Sequence, residues 1–467
     1  MKRKVLSVFL TAAMAVGMLA GCGSSASTAS GSQSASTEAV TASSTETASV
    51  TSETSATAAT GDTDPQMKKK IKILSIWAED NDNGVLINQI CNDYKKVNPN
   101  FDYEYEYVAS DDLKQKIATL AASNDLPDVF VYESGKPIVD LINADQIVDI
   151  SDVLKKYNCA DYIEPSAESL LTTLSQTDDL YDLPLGLNIE GFWYNKALFQ
   201  KAGVEVPSTW DEFDSALKKL KDAGIQPLAC GGADKWGATR LINAYTVRTL
   251  GPDAMKKAAD GDAKYTDAGY VAAAQKLQDW ANAGYFGQGV TTVDMNTAGT
   301  MLMTGKAAMF YNGSWFTSNL NDTSANAAGA DGIGFFNIPV QDESISGADS
   351  YSMNCGNILC LGKAKYDDAT GWFVKYFVEH MGDTAMTVQG SVKGYTYTAD
   401  TSKATGYTQL VLQEMAKAKS SFTWYEATMG SEVSTVAQEN VQSLLNGDMS
   451  AQDYMKSIQD ASDSQAE

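Results

Sequence analysis

The stretch "YDLPLGLNIEGFWYNKALFQKAGVEVPSTWDEFDSALKKLKDAG" occupies residues 181–224. Its second half can be read from physics alone. Thr209 followed three residues later by Glu212 is a capping box, in which each side chain satisfies a backbone N–H at the helix start. Phe213, Leu217 and Leu220 recur at helical spacing and give one apolar face. Gly224 stands where a helix ends with a left-handed residue. Upstream, "IKILSIWAED" (71–80) is a β-branched apolar run and predicts a buried strand. "LINQICNDYKK" (86–96) places Leu86, Ile90 and Tyr94 four apart and predicts a helix. "FDYEYEYV" (101–108) alternates and predicts a strand with one apolar face. "DDLKQKIATLAAS" (111–123) reads as a helix and "PDVFVY" (127–132) as a third strand. This βαβαβ order implies a parallel sheet covered by helices, hence an α/β fold.

The N-terminus is of a different kind. Lys2, Arg3 and Lys4 precede the apolar run Val5 to Leu19, which is too short to span a bilayer well. Small residues then lead to Cys22 in "LAGCGSS". This resembles the lipobox of bacterial lipoproteins, which implies cleavage after residue 21 and lipidation of the Cys22 sulfur. The alternative is an ordinary signal peptide cut near Ala20. Residues 23–66 hold no aromatic side chain and few charges. Such a segment cannot bury enough apolar surface to offset chain entropy and is expected to be a disordered tether. A flexible chain of that length has an r.m.s. span of roughly 35 Å.

About 400 residues remain, too many for one core, so two lobes are expected. Lys plus Arg number 35 and Asp plus Glu 59, giving a formal net charge of −24. That acidity excludes nucleic acid and anionic lipid surfaces as partners. Membrane association is expected through the lipid anchor only. Cys91, Cys159, Cys230, Cys355 and Cys360 are odd in number and scattered, unlike a disulfide framework. Cys355 and Cys360 are close enough in sequence to bridge, but buried free thiols are the expectation.

"WYNKALFQKAG" followed by "VPSTWDEF" resembles the signature of family 1 extracellular solute-binding proteins, the sugar-receiving lipoproteins of ABC importers. "LPDVFVY" (126–132), "GKAAMFYNGSW" (305–315), "IGFFNIP" (333–339) and "ATGWFVKYF" (369–377) follow in the family's order. The resemblance covers essentially residues 68–467. It implies a two-lobed, periplasmic-binding-protein-like fold with a hinge and a ligand cleft between the lobes. Three chain crossings are expected, near Leu185–Asn188, Gly334–Asn337 and Met381–Gly390. Lobe one would then hold 67–186 plus 338–382, and lobe two 187–337 plus 383–467. The implied function is capture of an extracellular oligosaccharide and delivery to permease subunits, by a monomer anchored on the extracytoplasmic face of the cell membrane. No catalysis, cofactor or metal is implied.

A sugar ring has an apolar C–H face and a rim of hydroxyls. Aromatic rings stack on the face, and carboxylates or amides bond the rim. Such a cleft calls for Trp or Tyr beside Asp, Glu and Asn in loops after strands. Four of the eight tryptophans have that context. Trp77 is followed by Glu79 and Asp80, Trp236 lies in "CGGADKWGATR", Trp315 follows Asn312 in "YNGSW", and Trp424 stands beside Tyr425 and Glu426. Trp315 is expected to sit in a turn just past a helix read over "AGTMLMTGKAAMF" (298–310). The family's motifs add Tyr132 and Glu133 at a strand end facing the cleft, and Asn188 at the first hinge. Trp193, Trp210, Trp280 and Trp372 lie within strand or helix patterns and are expected in the core.

"EDNDNG" (79–84) looks like half an EF-hand loop, but position twelve would be Ile90 where a bidentate Glu belongs. The single histidine, His380, has no Cys or His near it in sequence, which removes the Ser-His-Asp and His-rich metal arrangements. Two other functions stay open: a surface glycosidase, which needs two carboxyls about 5 Å apart for a retaining mechanism, and an importer receptor for another polar solute. Several stacking candidates favour an oligosaccharide over a monosaccharide. Xylo-, manno- and raffinose-type sugars and starch fragments all remain open.

Overall fold

A computed structural model describes residues 63–466. The expected signal segment 1–21, the lipidation site Cys22 and tether residues 23–62 lie outside the described residues. The last part of the expected tether is held to the body, Tyr94 OH donating to Asp64 Oδ2 at 2.7 Å and Asn100 Nδ2 to the Gln66 carbonyl at 2.9 Å. Eleven strands organise the described residues: β1 (Lys69–Ser75), β2 (Phe101–Tyr107), β3 (Val129–Glu133), β4 (Leu183–Pro184), β5 (Asn188–Asn195), β6 (Gln226–Ala229), β7 (Ala307–Gly313), β8 (Ile333–Phe336), β9 (Ser350–Asn354), β10 (Asn357–Leu361) and β11 (Ser420–Phe422). They form two sheets, β2-β1-β3-β10-β4 and β11-β9-β5-β7-β6, with β8 also paired to β5. In the first sheet β1 runs parallel to β2 and β3, as the opening pattern predicts, and β10 enters antiparallel to β3 and β4.

Side-chain alternation explains why each sheet needs a layer on both faces. Ile71, Ile73, Val129, Val131 and Leu359 join one core with Phe373, Phe377 and Val378 from the helix Asp368–Val388. In β5, Phe192 points into a core with Trp210, Phe213 and Leu217, while its neighbour Trp193 points into another with Phe310, Phe316 and Phe335. Both faces of β5 are therefore dry, which is why its sequence runs apolar without alternation. Complete burial of each such ring contributes about 1.5–3 kcal/mol. The helix Trp210–Asp222 carries the expected capping box between Thr209 and Glu212, and Gly224 adopts φ +71° just past its end. Trp193, Trp210, Trp280 and Trp372 are all buried. The five described cysteines are buried free thiols.

The crossings between sheets need two corrections. The first falls in 185–187, between β4 and β5. The second was expected at Gly334–Asn337, yet the chain stays with the second sheet through Asn354. Val340 bridges Thr209, Asn337 holds the carbonyls of Ala348 and Ser350, and β9 pairs with β5. The passage to β10 is made in the two residues 355–356. The third crossing, expected at Met381–Gly390, also falls later. Met381, Ala385 and Tyr395 pack in the first core, and the chain reaches the other side only with Tyr407 and Val411 of the helix Gly406–Met415. The boundaries 338 and 383 move to about 355 and 400 on this pairing.

A third correction concerns the run 298–310. The helix there is Met295–Met303; Gly305 turns the chain at φ +71°, and "AAMF" opens β7.

Candidate functional site

Three tryptophans expected in the cleft come together, two of them around one arginine and the third beside one of those two. Trp236 opens the helix Trp236–Leu250, and Arg240 lies one turn later on the same face. The Arg240 guanidinium carbon stands 5.6 Å from the Trp236 ring centre and 5.5 Å from that of Trp424. Trp315 lies in a short turn at the end of β7, its ring 6.3 Å from Trp236 at an interplanar angle of 56°. All three indoles are part-exposed. Gly313 makes the placement possible, since a Cβ there would fall 1.9 Å from Cζ3 of Trp315.

Carboxylates fix the arginine. Its Nε faces Glu190 Oε2 at 3.1 Å, and its Nη1 faces Glu426 Oε2 at 2.7 Å. Glu190 is 1 % exposed, in the middle of β5 between Gly313 and Ser352 of the flanking strands. Its other oxygen accepts from Asn354 Nδ2 at 2.7 Å, and Thr239 Oγ1 donates to Glu426 Oε1. The amide chain continues, with Asn188 Nδ2 donating to Asn354 Oδ1 at 3.3 Å and Ser314 Oγ donating to Asn188 Oδ1 at 3.2 Å. One polar network thus joins the turn bearing Trp315, the first two crossings and the loop bearing Trp424. Burial, then the nearby Glu190 carboxylate, pushes the Tyr311 phenol well above its ordinary range. Two carboxylates against one guanidinium leave this wall electronegative.

Such a wall can stack sugar faces on indoles and offer charged acceptors to hydroxyls. The guanidinium stands over both the Trp236 and the Trp424 ring. Cation–π contacts of this kind contribute about 0.5–2 kcal/mol each.

The remaining expected residues are dispersed. Asn312 is buried, and its Oδ1 accepts from the N–H of Gly313 at 2.9 Å, so it shapes the turn before Trp315. Trp77 packs against the first core, and its carbonyl accepts from Tyr105 OH at 2.9 Å. Asp80 is exposed beside it. Tyr132 packs edge-on against Phe130, and desolvation pushes its phenol up to about 12. Glu133 pairs with Lys114 at 2.9 Å. These four belong to the first lobe, and no described ring contact joins them to the three indoles. The first lobe does meet this wall nearby, because a Cβ on Gly135 would lie 2.7 Å from the Ala427 carbonyl.

Sequence reading missed Arg240, Glu190 and Asn354. Arg240 carried a signal, being four residues after Trp236 in a helical stretch. Glu190 carried a weaker one, a lone acid inside the apolar run "NIEGFW". Asn354 carried none. The set-aside motifs stay outside this site. His380 stacks on Tyr376 at 3.9 Å on an exposed helix face, and no cluster of metal-binding side chains occurs among the described residues.

Two α/β lobes joined by crossings, with an aromatic and acidic wall beside them, define a binding protein of the two-lobed extracytoplasmic type. The chain belongs to the bacterial extracellular solute-binding protein family, whose model matches residues 78–357. An uncharacterized ABC transporter extracellular-binding protein of Pyrococcus horikoshii is 24 % identical over 233 residues, 49 % of this chain and 53 % of that protein. The alpha-glucosides-binding periplasmic protein of Rhizobium meliloti is 26 % identical over 203 residues, 42 % of this chain and 43 % of its own length. The chain thus spans about half the length of the curated relatives it matches. A solved chitin oligosaccharide binding protein shares the fold with a TM-score of 0.76 at 24 % identity, covering 85 % of this chain and 98 % of its own. No helix among the described residues is long and apolar enough to cross a membrane.

Proposed function

We propose that this protein captures a neutral oligosaccharide between its lobes and hands it to the permease subunits of an ABC importer. The observation that carries the reading is the grouping of Trp236 and Trp424 on Arg240, with Trp315 beside Trp236 and the arginine flanked by Glu190 and Glu426. Part-exposed indoles suit the C–H faces of successive sugar rings, and the acidic wall disfavours carboxylate or phosphate ligands. The ligands for which two similar proteins are named, alpha-glucosides and chitin oligosaccharide, belong to that chemical class. Trp77, Asp80, Tyr132 and Glu133 on the first lobe, and Asn188 and Asn312 near the turn, complete the proposed cleft, which closes on ligand by hinge motion. Cys22 is the proposed lipid attachment point, holding a monomer on the outer face of the cell membrane.

A glycosidase reading finds less support. Glu190 and Glu426 both spend oxygens on the same guanidinium and on neighbouring amide or hydroxyl donors, rather than facing each other across a scissile bond. The test is calorimetry of the purified protein against xylo-, malto-, manno- and raffinose-series sugars and chitooligosaccharides. A micromolar dissociation constant, about −8 kcal/mol, is expected for one series. Silence across the sugars with heat from a peptide library overturns the proposal, and shortened glycan products would overturn the absence of catalysis.

A further inference from the structure

Cations that this fold withdraws from water are generally well engaged. Arg248 donates to the carbonyls of Ser346, Gly347 and Ser350 at 3.2, 2.6 and 2.9 Å and to Ser346 Oγ at 3.0 Å. Lys69 donates to the Lys365 carbonyl at 2.9 Å and pairs with Asp128 and Asp367 at 3.0 and 3.1 Å. Lys393 breaks the pattern. Its side chain is 6 % exposed, yet its carboxylate neighbour, Asp82 Oδ1, is 4.0 Å away, beyond hydrogen-bond reach. Burial pushes its ammonium down from the ordinary lysine range. A nearly buried ammonium without a close partner opposes folding. Such a cost persists where the donors serve something other than the fold.

The surroundings say what that is. Lys393 follows Gly390–Val392, which with Asn188, Ser314, Thr317 and Thr408 line a small cavity at the hinge. Ser314 immediately precedes Trp315 in the turn described above. Leu187 N donates to the Val392 carbonyl at 3.2 Å, so the segment is strapped to the first crossing. Asp82 opens the helix Asp82–Val97, which follows β1 beyond its carboxyl end, the edge where α/β sheets bind ligands. That helix start is clamped to the same place. Asn83 Nδ2 donates to the Leu185 carbonyl at 3.1 Å, and Gln389 Nε2 donates to the Asp82 carbonyl at 2.7 Å. The Asp82 side chain is 38 % exposed, which leaves the pair open to solvent on one side.

We propose that Lys393 and Asp82 form a hydroxyl-reading subsite on the first lobe, in which one sugar hydroxyl accepts from the Lys393 ammonium and donates to the Asp82 carboxylate. An oxygen about 2.8 Å from each atom, spanning the 4.0 Å gap, subtends about 90°. That is near the angle a hydroxyl offers between a lone pair and its O–H. Both bonds are charge-assisted, and a ligand without that hydroxyl leaves both charges unmatched. The ligand class is a neutral polyol ring, and the assignment rests on the sugar reading above.

The test uses Lys393→Met and Asp82→Asn in the purified protein. Wild type is titrated with xylotetraose, maltotetraose, chitotetraose and raffinose, and the tightest binder becomes the probe. Lys393→Met is expected to weaken the probe at least tenfold while the ligand-free melting temperature holds or rises, because a poorly paired buried charge has been removed. Asp82→Asn is expected to weaken it several-fold. Wild-type heat matched by Lys393→Met overturns this assignment alone. Weakened binding with a lowered melting temperature assigns Lys393 to the fold and overturns it too. No heat from wild type with any glycan overturns the sugar reading, and this subsite with it.

Discussion

Asp182 offers a sharp test of the packing around the crossings. It is 1 % exposed just before β4, and its Oδ2 has no hydrogen-bond partner among the described residues. Cys355 from the second crossing and Tyr395 from the approach to the third are buried with it, and their raised proton affinities reflect burial first and this carboxyl in part. Cys360 is the other titratable group it acts on. No cation contributes to its own proton affinity, and desolvation lifts it to about 7. The folded protein therefore keeps this proton to about pH 7, whereas the unfolded chain releases it near pH 3.9. Between those values the unfolded state binds fewer protons, so stability falls as pH rises. The contribution is full below about pH 4 and lost above about pH 7. Three pH units at about 1.4 kcal/mol each give about 4 kcal/mol. Asp182→Asn cannot titrate, so the wild-type advantage over the variant should shrink by about 4 kcal/mol from pH 4 to pH 8. Urea unfolding of the ligand-free proteins across that range measures it. Using the difference cancels any constant cost of the Asn amide. Parallel pH curves for the two proteins would refute the burial argument.

The remaining predictions concern the cleft and the anchor. Trp315→Ala should weaken oligosaccharide binding by about 2–3 kcal/mol, combining lost stacking with lost burial, and lower the ligand-free melting temperature only modestly; a large melting drop with ordinary affinity would place the ring in the core instead. Gly313→Val should reproduce the affinity loss, since its Cβ occupies the space of the Trp315 ring, and retained affinity would show that the ring's position is immaterial. Arg240→Ala leaves Glu190 buried without its countercharge and should cost about 3–5 kcal/mol of stability by denaturant unfolding, with Arg240→Lys recovering only part; an unchanged midpoint would dissolve the proposed network. Cys22→Ser should release the protein from membranes into the soluble fraction, and retention on membranes without lipid would remove the lipobox reading.

What the sequence revealed follows from the range of the interactions involved. The Thr209–Glu212 capping box, the face Phe213–Leu217–Leu220 and the βαβαβ opening are set by neighbours within a few residues, and each is present as expected. The second crossing failed because its signal is misleading. Ser350–Asn354 and Asn357–Leu361 are two strands separated by two residues, the second a Gly at φ +67°, the usual spacing of a hairpin. Yet β9 pairs with β5 and β10 with β3, so the shortest strand-to-strand link among the described residues changes sheets. The apolar continuity of 298–310 misled in a similar way, since one turn at Gly305 separates a helix from a strand of the same hydrophobicity.

The candidate site shows the same division at longer range. Trp236, Trp315 and Trp424 were visible singly, because a tryptophan among Gly, Asn and acidic residues is out of place in a core pattern. Their convergence was not, since the residue that unites two of them pairs with carboxylates 50 positions before it and 186 after it. Glu190 illustrates why. In isolation it is an acid spoiling a buried strand, and breaking its pairing would cost more than a surface charge ever returns. Only the register that sets it between Gly313 and Ser352, within reach of Arg240 and Asn354, turns that defect into the anchor of the site. A buried acid in an otherwise apolar strand therefore points to a distant cation, here the one that lies against Trp236 and Trp424. Lys393 poses the complementary case, a buried cation whose close partner the protein does not itself supply, and on the proposed reading a ligand hydroxyl fills that role.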